Sequence, residues 1–516
     1  MFFVGINDGN VPKKADSRSV LSESDREYLE DKGIVMSASV REKAFTQRFY
    51  LYLIMTKSAE KLYMSYAVKN SEGAALMPSY IIRNMRKMFS HCLKLSYKDT
   101  AQQNSYVTIP RAANSFDNTE IAANVDEDII DSLTGGRLVG SVTSFENFAE
   151  CPLRYYLRYG VDLKEREEFT FSPVNFGVVL HAVIREVCDE IKKNGESYYL
   201  ISEEKRREMV KRSVAAITDI YQNSILKDSS RNSFMIKRME DLADRTIWAM
   251  GEQLKCGDFV PFVFEHKFNM EVGDGDRKQL MSGTIDRVDI CENDTDVYVR
   301  IIDYKTGKKD FNIVKTYYGI DIQLMVYMEA AMKLVAKMRP GKNVLPAGVF
   351  YYNISDPIVS ATNESAEEIE DKIKGELRLK GMVNSDKDIA EKMDNTEGTS
   401  LNIPVSRKAD GGFDSRRSKV MNTEQFNMLG RFVDVRAIDT ADRIAGGDIR
   451  RSPYKDGQFS SCDRCPYGAV CGFSVDLPGC NYRKLKKFDD EVLWNNIKEG
   501  VDENGKKMDT GAEERD

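Results

Sequence analysis

Histidine is almost missing from this 516-residue chain, which has three. No apolar run reaches the roughly eighteen residues that a membrane-crossing helix needs, so no span is expected. No G-x-x-x-x-G-K-[ST] loop occurs, so the chain lacks a visible cradle for ATP phosphates and cannot be a motor by itself. The opening MFFVGINDGNVP has no basic leader and no long apolar core, which argues against export and for the cytoplasm. Positive charge is not in excess either: 75 Lys and Arg stand against 82 Asp and Glu, for a net charge of −7. The whole molecule is therefore not a basic surface, and any phosphate contact must come from local clusters or bound metal. Five of the nine cysteines (Cys92, Cys188, Cys256, Cys291 and Cys480) are scattered, which is not an export framework of disulfides. In a reducing compartment the clustered ones point to metal.

What is present suits a globular protein of two or three domains, with 41% hydrophobic and 30% charged residues and no internal repeat. Phe2–Ile6 reads as a short buried strand followed by an Asn7-Asp8-Gly9 turn, Arg41–Met55 as a helix and Lys61–Tyr66 as a strand. A domain that opens on a buried strand with no earlier partners looks like the end of a longer one. Residues 1–97 are thus expected to be a domain remnant and 98–140, rich in Asn, Asp and Ser, a polar linker. Compact patterning resumes at Ser141. Thr143 or Ser144 is expected to cap a helix running through CPLRYYLRYG, with further helices over Phe176–Ile191 and Glu203–Leu254. Strands are expected at Phe262–Glu271, Met281–Cys291 and Val297–Tyr304, then a helix over Asp321–Lys337. Lys380–Thr399 reads as a polar surface insertion. Thr423–Ala445 reads as a helix stopped by Gly446-Gly447, and the charged tail, 481–516, as partly disordered from Asn495 onward.

The densest chemistry lies in GTIDRVD and VYVRIIDYKTG. Alternate residues of a strand face the same way, so Asp303 and Lys305 project together while Ile302 and Tyr304 project oppositely. An aspartate ending an apolar strand is costly unless paired or metal-bound. With Asp286 on the neighbouring strand the two carboxylates repel, and a hard cation such as Mg2+ or Mn2+ relieves that. Lys305 would then orient water or stabilise developing negative charge. Taken alone, D-x-K describes a surface ion pair equally well. His181 on a helix is by itself more often structural, and Gln323 and Tyr327, four apart on one helical face, are more often packing.

Cys151 stands far upstream of Cys462, Cys465 and Cys471, whose spacing is C-x2-C-x5-C. Four thiolates serve zinc or an iron–sulfur cluster. A local zinc site from Cys462, Cys465, Cys471 and Cys480 is the alternative to a set that includes Cys151. Basic and aromatic residues interleave at Arg154, Tyr155, Tyr156, Arg158 and Tyr159. Basic groups recur at Arg407, Lys408, Arg416, Arg417 and Lys419, and at Arg450 and Arg451. They suit either DNA contact or ordinary packing and solvation.

In order and spacing, G-x-x-x-H, G-x-I-D-R-x-D, I-D-Y-K-T-G and Q-x-x-x-Y resemble the RecB-type PD-(D/E)XK nucleases. That resemblance implies an α/β fold, a mixed central sheet flanked by helices. It implies His181, Asp286 and Asp303 as metal ligands, Lys305 as the catalytic lysine, and Gln323 and Tyr327 as supporting residues. Glu265 falls where such enzymes often carry a glutamate, in a catalytic or a structural role. The C-P-x-R-Y-Y-x-R-Y-G segment with C-x2-C-P-x4-C resembles the iron–sulfur staple of AddB-type nucleases, which implies a 4Fe–4S cluster on Cys151, Cys462, Cys465 and Cys471, within a nuclease domain over 141–480. FFVGINDGNVPKK and the stretch ending in Thr56-Lys57-Ser58 resemble late UvrD-type helicase motifs, with lysine where the arginine finger usually stands. Together these features are similar to the AddB family. The family implies DNA as substrate, a motor subunit of AddA type as partner, double-strand-break processing and cutting of the 5′-ended strand. A silent DNA-end-binding scaffold and a stand-alone iron–sulfur exonuclease are the rival readings; the intact centre argues against the first and the helicase-like start against the second.

Overall fold

The structure is a computed structural model. It describes residues 1–13, 22–34, 39–69, 75–89, 124–126, 128–130, 139–164, 173–220, 230–272, 279–360, 364–475 and 480–513. The chain divides into two compact units: Met1–Ile121 with Gly472–Tyr482, and Ala122–Cys471 with Arg483–Asp516.

In the first unit, β1 (Phe2–Phe3) pairs in parallel with β2 (Tyr63–Met64). This is shorter than the expected strands, and Phe2 is exposed. Asn7 bridges Pro78 in antiparallel fashion and adds side-chain bonds, its Nδ2 donating to the Ala67 carbonyl at 2.7 Å and its Oδ1 accepting the Ala67 N–H at 3.0 Å. Helix α1 is Glu23–Asp31. Helix α2 (Val40–Thr56) starts in a capping box in which Ser39 and Glu42 satisfy each other's backbone N–H groups. Helix α3 is Tyr80–Met88.

The second unit is built on a seven-stranded mixed sheet, ordered β3-β5-β6-β7-β8-β9 with β4 along the remaining edge of β5. The strands are β3 (Val139–Ser141), β4 (Val260–Val272), β5 (Gln279–Glu292), β6 (Asp296–Lys305), β7 (Asn343–Asn353), β8 (Lys380–Asn384) and β9 (Val420–Met421). β4, β5 and β6 run antiparallel in succession, while β6 and β7 are parallel. One core packs α5 (Pro173–Lys193), α6 (Glu203–Ile220) and α7 (Ser230–Lys255) against Ile302, Tyr304, Phe350 and Tyr352. The other packs α4 (Val142–Glu150), α8 (Gln323–Met338), α9 (Thr423–Ala445) and α10 (Asp490–Glu513) against Val299, Ile301, Val349 and Tyr351. Successive residues of β6 therefore feed opposite cores, as strand alternation requires.

Several expectations need correction. The expected helix through CPLRYYLRYG is broken: Ser141, not Thr143 or Ser144, caps α4, and Cys151 turns to an extended φ of −167° before Pro152 opens a new turn. The expected insertion at Lys380–Thr399 contains β8 and a helix, Lys387–Met393. Among its many polar residues Asn384 is buried and donates to the Pro346 carbonyl at 2.7 Å and to Thr423 Oγ1 at 2.9 Å. The expected disordered tail forms α10, because Leu493 and Ile497 sit one turn apart and are buried against the α9 layer. Most of the expected linker lies outside the described residues. Within it, Val125 donates to the Gly447 carbonyl at 2.9 Å. Gly447 has φ +73°, and a Cβ there would meet the Val125 carbonyl oxygen at 2.0 Å, so only glycine fits.

Beneath the sheet surface lies a buried charge triad. Asp289 accepts Arg287 Nε and Nη2, both at 2.7 Å, and Arg300 Nε at 2.8 Å. The Arg300 guanidinium also lies 4.8 Å from the Phe259 ring centroid. Burial opposes the charge on Asp289, but the two guanidiniums overcome it and hold the carboxyl below its usual range.

Candidate active site

Asp303 and Lys305 end β6 on the same side, and Lys305 Nζ lies 2.5 Å from Asp303 Oδ2. Gln323, the first residue of α8, links them: Lys305 Nζ donates to its Oε1 at 3.0 Å, while its Nε2 donates to Asp303 Oδ1 at 3.1 Å and to the Tyr327 hydroxyl at 2.9 Å. One helical turn thus sets the Tyr327 hydroxyl against the Gln323 amide that holds the Asp303 carboxylate. Asp286, on β5, accepts the Tyr304 backbone N–H at 2.7 Å, which fixes it beside the β6 end. Burial pushes the Asp303 carboxyl up to about 6; Asp286 adds repulsion and Lys305 pulls it back.

His181 enters from α5 on the opposite layer. Its Nδ1 lies 3.5 Å from Asp286 Oδ2 and 3.6 Å from Glu265 Oε1. Burial works against a charged ring, but contact with the two carboxylates outweighs it and pushes His181 up to about 10. His181, Glu265 and Asp286 each offer a ligand atom, all within 4.8 Å of one another, the one such set among the described residues. An imidazole and two carboxylates suit a hard or borderline divalent cation. The set differs from the expected one in containing Glu265, while Asp303 sits beside it, held by Lys305 and Gln323.

Glu265 is marked by the sequence only through the resemblance, its role open between catalytic and structural, because its aim depends on the backbone conformation. It has φ +47°, unusual for a residue with a Cβ, and the β4–β5 pairing passes from Phe264↔Arg287 to His266↔Ile285 around it. The register puts it opposite Asp286. Strain of about 1–3 kcal/mol is typically tolerated where a side chain must be aimed.

A further group surrounds the Lys305 side. Tyr351 donates its hydroxyl to Asp321 Oδ1 at 2.7 Å, and Lys309 Nζ lies 3.0 Å from the same oxygen. Both ammoniums face the Tyr351 ring, Lys309 at 4.5 Å and Lys305 at 5.6 Å from its centroid. Glu146 from α4 reaches this group. Burial pushes its carboxyl up to about 7, opposed first by Lys309.

At the cysteine region, Cys151 is the buried junction between α4 and the Pro152 turn. Burial pushes its thiol up; the backbone N–H groups of Arg154, Ser452 and Leu153 nearby pull it back, and Cys465 is near enough to add repulsion. Cys462, Cys465 and Cys471 follow the short strand Phe459–Ser460 in turns closed by Cys465 N–H to the Cys462 carbonyl, 3.1 Å, and Cys471 N–H to the Tyr467 carbonyl, 2.7 Å. The basic groups are partly structural: Arg407 donates to the carbonyls of Thr396, Ala390 and Asp394, and Arg450 pairs with Asp448.

A mixed sheet presenting an aspartate, an aspartate-x-lysine and a helical glutamine at one end defines a nuclease class, and residues 140–472 match the PD-(D/E)XK nuclease superfamily. The chain is 31% identical to the B-type subunit of the ATP-dependent helicase/deoxyribonuclease of Clostridium acetobutylicum, over 98% of its own length and 48% of that protein's. It is 31% identical to the corresponding protein of Lachnoclostridium phytofermentans and 30% identical to that of Caldanaerobacter subterraneus subsp. tengcongensis, in each case over 100% of this chain. The chain belongs to this family, the B-type subunits of ATP-dependent helicase/deoxyribonucleases, and spans about half the length of these curated relatives. No helix among the described residues is long and apolar enough to cross a membrane.

Proposed function

We propose that this chain is the nuclease-bearing part of a bacterial helicase–nuclease subunit that hydrolyses DNA phosphodiesters with Mg2+ or Mn2+ while processing double-strand breaks. The observation that carries this is the junction of Lys305, Asp303 and Gln323 with Asp286, His181 and Glu265 at one end of the sheet. His181, Glu265 and Asp286, with Asp303 alongside, would hold the cation, which supplies Lewis acidity at the scissile phosphate when bound. Lys305, kept in place by Asp303 and Gln323, would orient water and offset negative charge. The Lys305 ammonium on Oε1 and the Asp303 carboxylate on Nε2 fix which way the Gln323 amide faces, and the Tyr327 hydroxyl takes its remaining N–H. The partner is a motor subunit of AddA type, and the attacked strand the 5′-ended one; both rest on the family resemblance, as does a cytoplasmic location. The test is a Mg2+-titrated assay on DNA labelled at either end. Cleavage that appears only with the cation supports the proposal, and protein that binds DNA ends without ever cutting them turns it into a scaffold.

The His181 environment fixes the sign of a pH effect. Ligation at Nδ1 requires the neutral ring, and in metal-free protein that ring holds its proton up to about pH 10. Cation binding therefore releases a proton, and apparent affinity should rise between about pH 7 and 9, by up to tenfold per unit. Titration calorimetry in buffers of different ionisation heat reads this directly, and His181→Ala should lose the proton release.

Cys151, Cys462, Cys465 and Cys471 are proposed to bind a 4Fe–4S cluster. The supporting features are the buried Cys151 at the α4 junction, with Cys465 near enough to act on its thiol, and Cys462 and Cys471 in the adjoining turns. Cys151→Ala should abolish the visible absorbance of anaerobically purified protein; an unchanged spectrum would instead favour a local site without Cys151.

A further inference from the structure

Helix α8 carries the two residues that organise the lysine, yet its own first residues do not cap it. The N-cap position is Ile322, which has no side-chain acceptor. The free N–H groups of Ile322 and Gln323 are instead taken by Glu146 Oε1, at 2.9 and 3.0 Å, from a helix far away in the chain. A carboxylate is well suited to that end of a helix, where the unpaired N–H groups carry partial positive charge. Gln323 is thus held twice. Its backbone is tied to α4, and its side chain is shared among Lys305, Asp303 and Tyr327.

Glu146 makes no contact with Asp303 or Lys305 through a hydrogen bond of its own. Its hydrogen bonds act on the centre through the Ile322 and Gln323 N–H groups and the Gln323 side chain, beside a through-space attraction to Lys309 and Lys305. A helix start freed from this tie can fray, and a shift of the Gln323 Cα by a fraction of an ångström moves the amide that sets the lysine.

We propose that Glu146 is a positioning residue for nucleolytic cleavage: by capping α8 from α4, it holds Gln323 where it can fix Lys305. This rests on the nuclease function proposed above. It assigns a role to a residue outside the four motifs and links the Cys151-bearing segment to the centre.

The test compares the wild type with E146A, E146Q, Q323A and E146A/Q323A, using single-turnover cleavage in Mg2+ and DNA affinity in Ca2+. E146A should slow cleavage by about 10- to 100-fold with DNA affinity within about twofold. E146Q should recover most of the rate, because an amide oxygen still accepts both N–H groups. The double variant should be no slower than Q323A, since both changes act on one linkage. A wild-type rate in E146A, or a loss that adds in full to that of Q323A, overturns the inference while leaving the nuclease standing. Amide exchange at Ile322 and Gln323 needs no activity: it should accelerate in E146A, and unchanged exchange overturns the inference even in a protein that does not cut.

Discussion

Lys305→Ala is expected to reduce Mg2+-supported cleavage by about 10^2- to 10^3-fold, the cost typical of removing one preorganised charge stabiliser. The lysine is well placed for so large an effect. Its ammonium has two fixed partners, Asp303 Oδ2 at 2.5 Å and Gln323 Oε1 at 3.0 Å, and faces the Tyr351 ring. Little reorganisation is then needed when negative charge develops nearby. The fold should survive, because Asp303, already pushed up to about 6 by burial, can take a proton once its cation is gone. Single-turnover rates on end-labelled DNA decide it. A variant within about threefold of the wild type would remove Lys305 from the chemistry.

The second large effect concerns stability. Asp289→Ala should destabilise the nuclease unit by about 3–5 kcal/mol, because it strands two buried guanidiniums without their carboxylate. Arg287 and Arg300 are each 1% exposed and Asp289 is 0% exposed, so none can turn outward to solvent. Arg287 also neighbours Tyr304, whose N–H anchors Asp286, so the loss should spread to the catalytic end. Thermal melting of variant and wild type measures it. A cost below about 1 kcal/mol would mean that the triad relaxes or that the arginines find other partners.

Much of the centre was legible from local periodicity. The two-residue repeat of β6 brings Asp303 and Lys305 together, and the four-residue repeat of α8 aligns Gln323 and Tyr327. Apolar alternation located β4, β5 and β6 to within two residues, and the Gly446-Gly447 stop located the end of α9. What could not be read depends on pairing between distant segments. Glu265 becomes a donor only through a left-handed backbone opposite Asp286, and Glu146 caps a helix that its own neighbourhood does not mention. β8 hid behind a buried asparagine, and β7, absent from the expected elements, contains Pro346 where its pairing with β6 shifts register. The triad was hidden for the opposite reason: charged residues read as surface until both partners are seen buried.

His181, Glu265 and Asp286 reach one point from a helix and two strands, α5, β4 and β5, with long stretches of chain between α5 and the strands. In an unfolded chain those donors lie far apart, and docking of the sheet and α5 closes the loops between them. On the proposed function, a cation would bind a site that the docked sheet and α5 already shape, unlike the ion of a small zinc module. The scaffold would then be the template and the cation its guest, so a chelator is expected to stop cleavage while leaving the architecture upright.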